Sequence, residues 1–232
     1  MGGFGYPSYN KMANYILFCA PDTYAMAAHA ILEEVEADYK VKWVEIFVDD
    51  PDPNFIKASP HGRTPALLGP DGSIFETAAI SLYIAERYPR AGLVVPQDDT
   101  RRGKFLQWLY YLSSTLQPDV IIQYHPEFYH DDSVARKELL TASMNRLRKV
   151  YEILEKALDR HTFFFGEQPT VPDFILGMQT VWDKIFPNGD ITVYPNIEKH
   201  RSAINSMPSV RQMKKQHAAE YKRRLEILNP KK

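Results

Sequence analysis

Polar chemistry gathers at two turns of this sequence. At Thr64-Pro65 an X–Pro bond follows Arg63 and leads into Ala66-Leu67. Such a bond adopts the cis form at modest cost, although proline also simply begins strands. At Glu76-Thr77 a strand pattern gives way to a helix pattern. The first N–H groups of a helix have no intrahelical partner and sit at its positive end, where a carboxylate ligand binds well. Thr77 also reads as a plain N-cap, and capping and binding coexist. Cys19 invites a redox reading, but it lies inside an apolar run, three or more residues before the next helix, with no CxxC partner. It gains little of the helix dipole that activates a thiol, so it is expected to be a buried small hydrophobe. His125, His130, Asp131 and Asp132 lie in a break between helices without the paired spacing of a closed metal site, so no metal is expected.

The elements that position these turns follow from periodicity. Tyr15 to Cys19 reads as a strand, and Asp22 or Thr23 caps a helix whose apolar stripe is Met26, Ala27, Ala30, Ile31 and Val35. Lys42 to Val48 alternates as a half-buried strand does. Pro65–Leu68 and Ser73–Phe75, joined by Gly69-Pro70-Asp71-Gly72, form a hairpin, and Thr77 to Tyr88 carries a helical stripe. The predicted order is β-α-β-β-β-α. Beyond residue 100 helical periods take over, in Phe105, Leu109, Leu112, Leu116 and again from Leu140 to Leu158. Thr170-Val171-Pro172-Asp173 opens a further helix as a capping box with proline in its first turn. The chain therefore divides into an extension at 1–12, an α/β domain at 13–90, a linker at 91–100 and an all-helical domain at 101–232.

With 232 residues, 44% of them hydrophobic and 25% charged, the chain has the composition of a folded globular protein. Its net charge of -1 supplies no field to attract nucleic acid or an anionic membrane. The charge is uneven, at -5 over residues 1–90 and +4 over the rest, which fits two units of different make-up. The basic tail from Arg211 to Lys232 reads as a solvated helix face. Neither a signal peptide nor an 18-residue apolar span is evident, and a single cysteine suits a reducing compartment, so the cytoplasm is expected.

Three stretches carry a family likeness. They are Ser59-Pro60-x-Gly62-x-Thr64-Pro65-Ala66-Leu67, then Glu76-Thr77-x-Ala79-Ile80-x-x-Tyr83-Ile84-Ala85, and the Thr170–Asp173 box within a helical second half. In this order they resemble the glutathione transferase family. The run from Gln107 to Pro118 is similar to the first helix of the second domain in bacterial beta-like members. The resemblance implies a thioredoxin-like first domain, a helical bundle and glutathione as co-substrate. The reaction implied is attack by the bound thiolate on an apolar electrophile; ether cleavage, isomerisation, peroxide reduction or a non-catalytic binding module would use the same site.

The resemblance also implies roles. Thr64-Pro65 would be cis, offering the Thr64 backbone to the cysteinyl part of the tripeptide, strand-like. Thr77 would take the γ-glutamyl carboxylate and Glu76 its ammonium, while Arg63 is a candidate for the glycyl carboxylate. The chain departs from beta-like members where it matters most, with Tyr24 and Ala25 at their cysteine and serine positions and Gln117 where many have histidine. Thr23 and Tyr24 are left as hydroxyl donors to the thiolate, Thr23 preferred for closeness to the first helical turn. Trp108 and Tyr111, with Tyr110 and Tyr124, are candidates for an apolar substrate pocket. A homodimer is expected, covering Phe105 and Leu109.

Overall fold

The computed structural model describes residues 15–228, so the expected extension at 1–12 and the last four residues of the tail lie outside it. A four-stranded sheet of order β2-β1-β3-β4 forms the centre of the first half. Strand β1 (Tyr15–Cys19) is fully apolar and pairs in parallel with β2 (Tyr39–Trp43), helix α1 (Ala25–Glu34) making the crossover. Strand β3 (Ala66–Gly69) lies antiparallel on the other side of β1, and β4 (Gly72–Phe75) closes the edge by the expected hairpin. Helix α3 (Thr77–Arg87) follows at once.

Two features differ from the sequence expectation. The second strand is centred earlier than Lys42–Val48, because β1 offers only five residues to pair with, from Tyr15↔Tyr39 to Cys19↔Trp43. The alternation continues past the ladder, and Phe47 turns the chain at φ 60°. A short helix, α2 (Pro53–Ala58), also stands between the second and third strands. Its signal was present in Asp52-Pro53: the Asp52 carboxylate accepts from the N–H groups of Asn54 and Phe55, and proline suits the first turn.

The second half is helical throughout. Helix α4 (Arg102–Tyr111) runs through a wider π turn at Leu112–Leu116 into α5 (Gln117–Tyr124). Pro118 has no N–H for the carbonyl four residues back and its ring crowds that carbonyl, so the helix opens there. Helix α6 (Ser133–Ala157) packs on α5, tied by the Arg146 guanidinium on the Asp119 carboxylate at 2.6 and 3.0 Å. Helix α7 (Val171–Gln179) is buried along its whole length. Its capping box forms, and Asp173 goes further. Its carboxylate accepts from Thr170 N–H (2.7 Å), Thr170 hydroxyl (2.8 Å) and Phe164 N–H (3.0 Å), and faces His200 Nε2 of α8 (Pro195–Ser206) at 3.2 Å.

Helix α9 (Pro208–Leu228) corrects the reading of the basic tail. One face is solvated, but the other returns to the first domain and packs on α1. Val210, Met213 and His217 are buried, and Arg224 donates to the Val44 carbonyl and the Glu45 carboxylate. The expectation for Phe105 and Leu109 also changes: both are buried within the single chain, Phe105 against Phe165.

Candidate active site

A cleft of about 250 Å³ opens between the sheet domain and the helical domain. Three turns of the first domain form its polar wall. Ser59 braces one of them, donating from its hydroxyl to the Arg63 carbonyl (2.8 Å) and accepting from the Arg63 N–H (3.2 Å). Arg63, Thr64 and Pro65 then border the cleft, and the Thr64–Pro65 bond is cis. Phe75, Glu76 and Thr77 form the second turn. Glu76 holds φ 76°, a conformation that costs a non-glycine residue about 1–3 kcal/mol and that collects at ligand-binding turns. Its carboxylate is exposed at the cleft edge, whereas Thr77 is buried at the first position of α3, its hydroxyl 3.4 Å from the Tyr24 carbonyl.

The third turn leads into α1. The Thr23 hydroxyl donates to the Ala20 carbonyl (2.8 Å) and accepts from the Thr64 hydroxyl (3.0 Å). Each hydroxyl carries one proton, so neither threonine has one left for a ligand in this arrangement. Tyr24 differs. Its hydroxyl oxygen is buried and has no hydrogen-bond partner among the described residues. Burial, with smaller effects from the Tyr129 and Tyr124 hydroxyls, pushes its pKa far up, so the group keeps its proton at neutral pH. Of the two expected donors, only Tyr24 has a hydroxyl proton not directed to an acceptor among the described residues.

The far wall is apolar and aromatic, built from Phe47, Val120, Tyr124, Phe128 and Trp182. Tyr24 packs on Trp182 with centroids 5.2 Å apart, and Trp182 on Tyr124 at 6.0 Å. Gln117, on α5, borders the same space. The Arg63 guanidinium lies over Phe128 (4.7 Å) and Phe47 (5.5 Å), which orders it at the mouth of the cleft. Trp108 and Tyr111 lie elsewhere. Trp108 stacks on Phe164 (4.9 Å) and meets Tyr111 edge-on (5.7 Å), because that face of α4 covers the loop before α7 while α5 faces the cleft. Phe47, Phe128 and Trp182 were not anticipated. They stand on three separate loops, and no spacing in the sequence links them.

Two family matches cover most of the chain. Residues 13–86 match the glutathione S-transferase N-terminal domain, and residues 118–208 match the glutathione S-transferase C-terminal domain. The chain belongs to the glutathione S-transferase family. Among curated relatives of this transferase family, it is 26% identical over 205 residues to the disulfide-bond oxidoreductase YfcG of Escherichia coli, covering 84% of this chain and 92% of that protein. It is 27% identical over 170 residues to the glutathione S-transferase GstA of Escherichia coli, covering 72% and 81%. Among solved structures, a sphingomonad glutathione S-transferase complexed with glutathione superposes with a TM-score of 0.77 at 25% identity, covering 88% of this chain and 98% of that one. The sheet domain followed by a helical domain is the architecture expected from the sequence.

Proposed function

We propose that this chain is a glutathione transferase. On this reading the cleft holds the tripeptide against its polar wall and an apolar electrophile against its aromatic wall. The observation that carries it is convergence: the starts of α1 and α3 and the Thr64 turn border one cleft with Phe47, Tyr124, Phe128 and Trp182 opposite. Helix starts stabilise anions, so α3 suits the γ-glutamyl carboxylate and α1 the thiolate. Glu76 pairs with the γ-glutamyl ammonium, the Thr77 backbone N–H at the start of α3 donates to its carboxylate, and the Thr64 backbone takes the cysteinyl part. The ordered guanidinium of Arg63 takes the glycyl carboxylate.

The Tyr24 hydroxyl, covered in this structure, supplies the hydrogen bond to the sulfur once its side chain turns toward the cleft, and the thiolate then forms the new C–S bond as the leaving group departs with its electron pair. Glutathione bound to a non-catalytic member, ether cleavage, isomerisation and peroxide reduction are the other outcomes. Calorimetry with glutathione and an assay with chlorinated, epoxide and hydroperoxide substrates separate them. We expect binding with turnover, and an affinity about 10- to 100-fold weaker in Glu76→Gln, the loss of a charged hydrogen bond. Binding without turnover would assign the module; unchanged affinity in a folded Glu76→Gln variant would reject the ammonium assignment. The proposed compartment is the cytoplasm; among the described residues no helix is long and apolar enough to cross a membrane.

A further inference from the structure

Cys19, His29 and His217 meet in the core, and none of them borders the cleft. Cys19 ends β1, His29 lies in α1 and His217 in α9, so the group sits where the C-terminal helix docks on the first domain. Their exposures are 0%, 0% and 2%. Cys19 Sγ lies 3.7 Å from His217 Nε2, which lies 3.2 Å from His29 Nδ1, and one donor atom from each of the three residues falls within 4.8 Å of the other two. Among the described residues this is the one group of its kind. With metal–N of about 2.05 Å and metal–S of about 2.3 Å, donors on a tetrahedral ion sit about 3.3 Å (N to N) and about 3.6 Å (S to N) apart. The two contacts of His217 already have this spacing, and Cys19 and His29 close to it as the ion binds.

The surroundings fix the lone pair of His29. The Tyr39 hydroxyl donates to Glu33 Oε1 at 2.5 Å and lies 3.0 Å from His29 Nε2. Its one proton is directed to the carboxylate, so it accepts from His29 Nε2–H. The His29 proton is thereby placed on Nε2, and Nδ1 is left as a bare lone pair toward Cys19 and His217. Across the 3.2 Å contact His217 Nε2–H then donates to His29 Nδ1. An ion takes the place of that proton, which moves to His217 Nδ1, an atom with no partner among the described residues. Gln216 donates to the same Glu33 oxygen at 2.6 Å. A ligand histidine held through its other nitrogen, in a chain ending on a carboxylate, is the usual outer support of a metal site.

We propose that Cys19, His29 and His217 form a closed three-donor site for a thiophilic d10 cation, Cu⁺ or Zn²⁺. Thiolate with imidazole is a soft donor set that suits both ions. A thiolate with Cu⁺ is neutral overall, which favours it in a site without solvent, whereas Zn²⁺ leaves one net positive charge and needs a fourth donor. Binding releases the thiol proton. The ion clamps α9 to β1 and α1, so its binding free energy appears as stability of the docked helix.

Untagged, reduced, chelator-free protein titrated anaerobically with Cu⁺ against a competing chelator, and separately with Zn²⁺, tests the site and distinguishes the ions. One equivalent of one or both ions per chain, with a raised Tm, is expected. Cys19→Ser and His217→Gln should each weaken binding by more than about tenfold, and Tyr39→Phe by about 10- to 100-fold. Co²⁺ bound in the zinc arm should show a thiolate-to-metal charge-transfer band. That band requires no variant, so it is informative even if a substitution prevents folding. Failure of wild-type protein to bind either ion, or binding that survives both Cys19→Ser and His217→Gln, would overturn the site.

Discussion

At Thr23 the hydroxyl proton is directed to the Ala20 carbonyl, and at Thr64 it is directed to Thr23, so the two threonines tie the turn together. The Tyr24 hydroxyl is buried, protonated and without a partner among the described residues. A donor in that state gains most from an anion, because an unmet buried polar group is costly. Hydrogen bonding to the charged form lowers a pKa, so losing the donor raises it. Tyr24→Phe should therefore raise the apparent pKa of bound glutathione, by about one unit if the bond contributes about 1.4 kcal/mol. Thr23→Val and Cys19→Ala should leave it within a few tenths of a unit. Ultraviolet titration of the bound thiolate measures this; an unchanged pKa in Tyr24→Phe would remove the tyrosine from the mechanism.

Among the elements, α7 depends most on one side chain. Asp173 is fully buried, and its two oxygens serve the Thr170 cap, the Phe164 N–H and the His200 ring, which joins the loop before α7 to α8. The capping pair was legible in the sequence, because Thr-x-x-Asp is a local pattern. The bonds to Phe164 and His200 were not, since they cross to other segments. Removing a carboxylate from such a network leaves several buried donors unmet, so Asp173→Ala should destabilise the protein by about 3–5 kcal/mol, far more than the ~1 kcal/mol of an ordinary cap. Denaturant unfolding followed by circular dichroism measures it. A loss near 1 kcal/mol would show that Asp173 acts only as a cap.

For the whole molecule, Phe105 and Leu109 are buried inside one chain and present no apolar surface for a dimer to cover. Other apolar side chains take their place at the surface. Leu68 and Phe75, on the hairpin that forms the sheet edge, are 40% and 42% exposed, and Tyr110 on α4 is 58% exposed. Sheet edges and apolar surface are commonly covered by a two-fold partner. Light scattering at micromolar concentration should give twice the 26.8 kDa chain mass, and Tyr110→Glu should shift the population toward monomer. A single-chain mass for the unaltered protein would reject the dimer.

The α/β half, the helical half and the two turns at Thr64-Pro65 and Glu76-Thr77 are legible in the sequence alone, because strand alternation, helical periods and turn residues act over a few positions. The sequence misjudged the second strand, whose length was set by its five-residue partner β1 and not by its own alternation. It left Thr23 and Tyr24 unresolved, since hydroxyl protons are assigned by partners such as Ala20 and Thr64 that only the folded chain supplies. The aromatic wall and the meeting of Cys19, His29 and His217 belong wholly to the tertiary structure. Cys19 and His217 stand 198 positions apart, and no local periodicity records that α9 returns to pack on α1.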